Sequence, residues 1–121
     1  MKSVIALFTL FALFSATVFV AVPADSKVCE SGVCVVEFNA SFNAANSVSW
    51  IENLSDCTTS RVDIVSSPDL QAEHKIVVVP TIIIFNDGEE VERFQANIMM
   101  TIEASESDVQ ESVDEILMSS F

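Results

Sequence analysis

Apolar and polar positions fall into short runs of different period along this chain. Val33-Cys-Val-Val-Glu-Phe38 follows Gly32 as a dense apolar run and predicts a buried strand. From Asn43 to Ser55, Val48, Ile51 and Leu54 recur at three-residue spacing behind Ala44 and Ala45, which predicts a helix with one apolar face. Ser60-Arg-Val-Asp-Ile-Val65 alternates and predicts a second strand. Ser67-Pro68 is a helix start, with serine as cap and proline at the first helical position, and a short helix through about His74 follows. The run Ile76-Val-Val-Val-Pro80 leads into Thr81-Ile-Ile-Ile-Phe85, a strongly β-forming segment. Asn86-Asp87-Gly88 reads as a hairpin turn, and Glu90 to Gln95 alternates as the returning strand. Ser107-Asp-Val-Gln110 fits a capping box, with Val109, Val113, Ile116 and Leu117 on one face of a terminal helix.

The expected order after residue 32 is therefore β-α-β-α-β-β-α. A crossover helix makes the first two strands parallel, and the final hairpin is antiparallel. The fold class is α/β, a mixed central sheet with helices on both faces.

The first quarter of the chain differs from the rest. Lys2 is followed by an uncharged apolar stretch from Val4 to Val22, then by Pro23, Ala24 and Asp25. This is the layout of a secretory signal peptide over 1–24, with Val22-Pro23-Ala24 as the cleavage region; the alternative is a membrane anchor, for which 4–22 is just long enough. Both readings send the remainder out of the cytoplasm, to the periplasm, the exterior or, in a eukaryote, the ER lumen. A short segment, 25–32, then precedes the domain at 33–121. Of the 121 residues, 18 are acidic and five basic. Residues 25–121 hold all 18 acids against Lys27, Arg61, Lys75 and Arg93, a formal charge of −14. Such a surface repels nucleic-acid phosphates and anionic lipid, and favours solubility and basic partners.

Two separated segments carry a family resemblance. Val36-Glu-Phe-Asn-Ala-Ser-Phe-Asn-Ala-Ala-Asn46 resembles the strand, loop and active-site helix start of the thioredoxin family. Val79-Pro-Thr-Ile-Ile-Ile-Phe-Asn-Asp-Gly88 resembles that family's cis-proline, strand and hairpin turn, and Arg61-Val-Asp-Ile between them resembles its third strand. The likeness spans about 33–118. It implies a trimmed thioredoxin-like fold, because only 25–32 precede the first strand and leave little room for the family's usual first strand and helix.

The resemblance stops at the chemistry. The family places two cysteines, separated by two residues, at the start of its first long helix, where the helix N-terminus lowers the first thiol's pKa. Asn43 and Asn46 occupy those positions here, with Ala44 and Ala45 between. A carboxamide forms no mixed disulfide, so no catalytic residue is assigned, and the asparagines read as helix caps or as a polar, unreactive rim. Glu37 falls where the family keeps a buried acid; a carboxylate there needs hydrogen bonds, with Asn46 as a possible partner, or else a solvated position. Pro80 matches the cis-proline, whose preceding backbone pairs with extended peptides in relatives. The implied peptide-binding rim is Phe42, Asn43, Asn46, Val79, Pro80 and Thr81.

Three cysteines remain: Cys29, Cys34 and Cys57. The strand at 33–38 is roughly 20 Å long and the helix at 43–55 roughly 19 Å. A helix running back along its strand returns Cys57 near Cys34 and Cys29, at the pole opposite Asn43 and Pro80. A disulfide from Cys57 to Cys29 or to Cys34 is the expected staple. The pair Cys29 and Cys34 leads into a strand and not a helix, which reads as structural and not catalytic. Three cysteines and His74 lack zinc-ligand spacing, so no metal or other cofactor is expected, and His74 reads as a helix end. Asn39-Ala-Ser41 and Asn53-Leu-Ser55 match glycosylation sequons, relevant in a eukaryotic host. The acidic run from Glu103 to Glu115 reads as the solvated face of the last helix.

The leading expectation is an exported, redox-inactive module that binds an extended peptide or partner protein at the proline face. The competing one is a thiol-disulfide oxidoreductase working through Cys29, Cys34 or Cys57; an assembly role is a third.

Overall fold

A run of seven buried residues, Val33–Asn39, forms the central strand β1. Its near-continuous apolar character is what a strand covered on both faces requires. The computed structural model describes residues 28–120. The expected signal peptide or anchor at 1–24 lies outside that range, and among the described residues no helix is long and apolar enough to cross a membrane.

Strand β2 (Thr58–Asp63) pairs with β1 in parallel, Cys34 opposite Thr58 and Glu37 opposite Arg61. Strand β3 (Thr81–Asn86) pairs with β1 antiparallel, Phe38 opposite Thr81 and Cys34 opposite Phe85. Strand β4 (Glu89–Gln95) closes the order β2-β1-β3-β4. The β3–β4 hairpin turns through Asp87 at φ 52° and Gly88 at φ 86°, two positive-φ residues as a tight hairpin demands. The same turn holds the residue just before β1: Gly32 N–H donates to Asp87 Oδ1 at 2.8 Å and Asp87 N–H to Gly32 O at 2.9 Å. The four charged residues of β4 lie on an edge, where charge discourages pairing with another sheet.

Alternation along β1 and β3 divides the interior in two. Cys34, Val36, Phe38, Ile83 and Phe85 face one layer together with Cys29, Ile64, Ile76 and Val79. Val33, Val35, Ile82 and Ile84 face the other with Ile51, Leu54, Val109 and Val113. Helix α1 (Pro68–Glu73) borders the first layer; its C-cap, His74, sets its ring 5.4 Å from that of Phe38 and 5.2 Å from that of Phe85. Helix α2 (Glu106–Ser119) covers the second through Val109 and Val113. The expected mixed sheet with helices on both faces is therefore observed.

Three local expectations are corrected. No continuous helix spans 43–55: two short 3-10 turns, Ser41–Asn46 and Ile51–Asn53, stand there. A strict three-residue spacing of Val48, Ile51 and Leu54 suits a 3-10 period of 3.0 as well as an α-helical face, and the serines and asparagines between them favour turns. The capping box of α2 sits two residues earlier than expected. Ser105 Oγ accepts from Asp108 N–H at 3.2 Å, and Asp108 Oδ2 from Ser105 N–H at 2.9 Å. Gln110 is engaged elsewhere, on the backbone N–H and carbonyl of Ser55 at 2.8 and 3.1 Å. Pro68 does open α1, but Ser67 makes no side-chain capping bond.

Candidate functional site at the proline pole

The loops leaving β1, entering β3 and following β4 meet at one end of the sheet. The Val79–Pro80 peptide bond is cis, the geometry that the resemblance implies. Beside it lies Asn43, only 7% exposed, with non-helical φ and ψ in the middle of its 3-10 turn. It caps no helix: the residue before the turn is Ala40, and no side-chain cap forms there. Its Nδ2 donates instead to Asn39 Oδ1 at 3.2 Å, to Met100 O at 3.2 Å and, at 3.5 Å, to Val79 O. Its Oδ1 accepts from Asn46 Nδ2 at 2.8 Å. Asn39 completes the cluster, donating to Asn43 O and to Ser47 Oγ. One carboxamide thus ties three loops together beside the cis-proline. A buried amide with every polar atom engaged is a rigid fixture.

Of the six expected rim residues, only Phe42 is open to solvent, at 75%. Asn43, Val79, Pro80 and Thr81 are buried and Asn46 is half-buried. Thr81 turns its hydroxyl inward to Val78 O at 2.7 Å. These residues frame the site more than they present it. The accessible apolar surface comes from residues that sequence reasoning passed over: Val77 and Val78 before the proline, and Ile98 and Met99 at 98% and 73% exposure. Asn97 shapes the second pair, its Oδ1 accepting from the N–H groups of Met99 and Thr101 and from the Thr101 hydroxyl. Val77, Val78 and Ile98, together with Phe42, Ile64, Val65 and Met100, border a groove of about 540 Å3. Among the described residues, the N–H groups of Val77, Val78 and Val79 donate to no backbone carbonyl outside strands and helices. The signal in the sequence was Ile98-Met-Met100 itself, an apolar triplet belonging to no periodic element.

Glu37 is buried, 1% exposed, on the α2 side of the sheet. Its partner is not Asn46. Val48 N–H donates to Oε2 at 2.9 Å, and the guanidinium of Arg61, its register neighbour on β2, pairs with Oε1. Arg61 also donates to Val48 O at 2.7 Å and binds Glu52 through two nitrogens. That hydrogen bond is the main reason why the Glu52 carboxyl is held below its usual range.

The thiols lie at the far pole. Cys34 is opposite Phe85 while Phe38 is opposite Thr81, so Cys34 and the proline are separated by about 16 Å of strand. The expected staple to Cys57 is not formed: Cys29 is bonded to Cys34, and Cys57 is free. Cys57 does return to the Cys34 end, next to Thr58, as the length argument required. It arrives on the wrong face, however, packing in the α2 layer while Cys29 and Cys34 belong to the α1 layer. Burial chiefly, then the nearby carboxylates of Asp56 and Asp114, push the Cys57 thiol above its ordinary value. One thiol per native chain should therefore react with an alkylating probe, slowly at neutral pH and faster as the pH climbs through the alkaline range. Mass spectrometry with and without prior reduction checks this; two or three thiols labelled before reduction would refute the pairing.

Among the described residues, no three His, Cys, Asp or Glu side chains converge as metal ligands. The Asn39 sequon is occupied internally, since its side chain is committed to the Asn43 cluster, whereas Asn53 is exposed.

No protein-family model matches the chain, and no curated protein matches it. Solved structures do. A mutant thioredoxin from Halobacterium salinarum superposes with a TM-score of 0.56 at 19% identity, over 70% of this chain and 74% of the other. Fasciola hepatica thioredoxin gives 0.52 at 23% identity, over 71% and 82%. Thioredoxin-2, described as a component of the malaria parasite protein secretion machinery, gives 0.58 at 17% identity, over 72% and 85%. At these identities the likeness is one of fold.

Proposed function

We propose that this chain, a trimmed thioredoxin-like fold, is a non-enzymatic module that binds an extended peptide at its cis-proline edge. The observation that carries the reading is the pairing of Asn43 with the groove. Where dithiol exchange needs a sulfur atom, the chain has a buried carboxamide that fastens the loops, and next to it stands open apolar surface, with backbone N–H groups at 77–79 that find no partner among the described residues. Strand addition needs donors and acceptors of the main chain and pockets for alternate side chains, not a nucleophile. The leader-like stretch before residue 25 and the Cys29–Cys34 disulfide support a site of action outside the cytoplasm.

The test is hydrogen exchange on the protein with a library of extended apolar peptides. Protection should concentrate on residues 77–81 and 97–101, and Phe42→Asp with Ile98→Asp should weaken binding by about tenfold or more, as loss of central apolar contacts does. The same protein should not turn over a model disulfide. Catalytic reduction that disappears in a single Cys→Ser variant would establish the oxidoreductase reading in its place.

A further inference from the structure

We infer that the occupant of the groove is a cationic peptide segment: an apolar centre of two or three residues flanked by lysine or arginine. This deepens the binding reading and rests on it.

None of the residues that line the groove is charged. Its margins, by contrast, hold carboxylates bonded directly to lining residues. Asp63 Oδ1 accepts from Val65 N–H at 3.0 Å on one side, and Glu103 Oε2 accepts from Asn97 Nδ2 at 3.0 Å on the other. Both bonds are solvent-exposed, and each uses one carboxylate oxygen. The chain's own cations do not neutralise them. Arg61 is bound to Glu37 and Glu52, and Arg93 to Glu90. Lys75, beside Ile76, makes no ion pair among the described residues. Behind these local charges stands the −14 of residues 25–121. A field of that sign speeds the approach of cationic segments and opposes other acidic surfaces. It therefore disfavours two alternative covers of the same apolar patch, a second copy of this chain and an anionic membrane.

The test uses three synthetic peptides sharing one Val-Ile-Val centre and differing only in their flanks: lysine, glutamine or glutamate. At about 20 mM salt the lysine peptide should bind roughly tenfold tighter than the glutamate peptide, with glutamine between them, and at about 300 mM salt the spread should shrink several-fold. Asp63→Asn combined with Glu103→Gln should narrow the spread between the lysine and glutamate peptides at low salt. Equal binding of all three peptides overturns the charge preference and leaves peptide binding intact. Absence of binding by any of them, with no change at residues 77–81, overturns both. Self-association that Phe42→Asp abolishes, or uptake by neutral vesicles that Ile98→Asp abolishes, would assign the patch to a second copy or to lipid and also overturn the inference.

Discussion

Arg61→Ala should destabilise the protein by about 3 kcal/mol, because it strands a buried carboxylate. The protein loses the guanidinium that faces Glu37, a side chain only 1% exposed, and keeps only Val48 N–H to solvate that charge. For a domain of this size such a loss lowers the melting temperature by roughly 10–20 °C. Arg61→Lys should fall between, since an ammonium restores the charge but cannot span Glu37, Glu52 and the Val48 carbonyl at once. Replacing both partners, with Glu37→Leu and Arg61→Met, should be milder than Arg61→Ala alone. Thermal and urea unfolding decide the matter; an Arg61→Ala protein as stable as the parent would show that Glu37 does not depend on this arginine. The acid limb offers a second readout. A carboxyl whose folded pKa is lowered, as for Glu52, adds stability above its ordinary pKa and loses it as the pH falls through the lowered value. In Arg61→Ala that contribution vanishes, and the Glu52 titration followed by NMR should move up toward the ordinary carboxylate range.

Asn43→Ala is expected to remove about 2–3 kcal/mol and to loosen the binding edge as well. The substitution leaves the carbonyls of Val79 and Met100 and the side chain of Asn39 without a common donor. Asn43→Asp is the sharper experiment. It preserves shape while turning the donating nitrogen into an oxygen aimed at three acceptors, so it should be at least as harmful as alanine. Asn46→Ala, which removes one bond at a half-buried position, should cost under about 1 kcal/mol. Unfolding midpoints give the stabilities, and exchange rates at residues 77–81 and 97–101 report the loosening. A fully stable Asn43→Asp protein would contradict the clamp.

The sequence revealed the sheet better than the loops. β-branched runs at 33–38 and 81–85 and the Asp87-Gly88 turn are local signals that tertiary context reinforces, and both strands and turn appear where expected. The Asn43 cluster was not legible, because its partners at 79 and 100 are joined by topology and not by spacing. The disulfide failed for a related reason. Lengths of strand and helix place Cys57 at the correct pole, yet only the alternation of the pleat decides which face a side chain takes, and that parity separates Cys57 from Cys34. The capping box slipped by two residues because two serines offered the same pattern and a distant backbone claimed Gln110.

The interrupted turns at 41–53 have a bearing on how readily redox chemistry could be built into this protein. Two codon changes, Asn43→Cys with Asn46→Cys, would introduce a pair of thiols but not the setting that activates one. A turn of six residues, broken at its third, supplies little of the field that a long helix exerts on a thiolate, and position 43 is sealed from water. Both circumstances favour the neutral thiol. Such a double variant should therefore be a sluggish reductant, its new cysteine ionising no more easily than free cysteine, and enzyme-like activity would require rebuilding the segment from 43 to 55 as a helix.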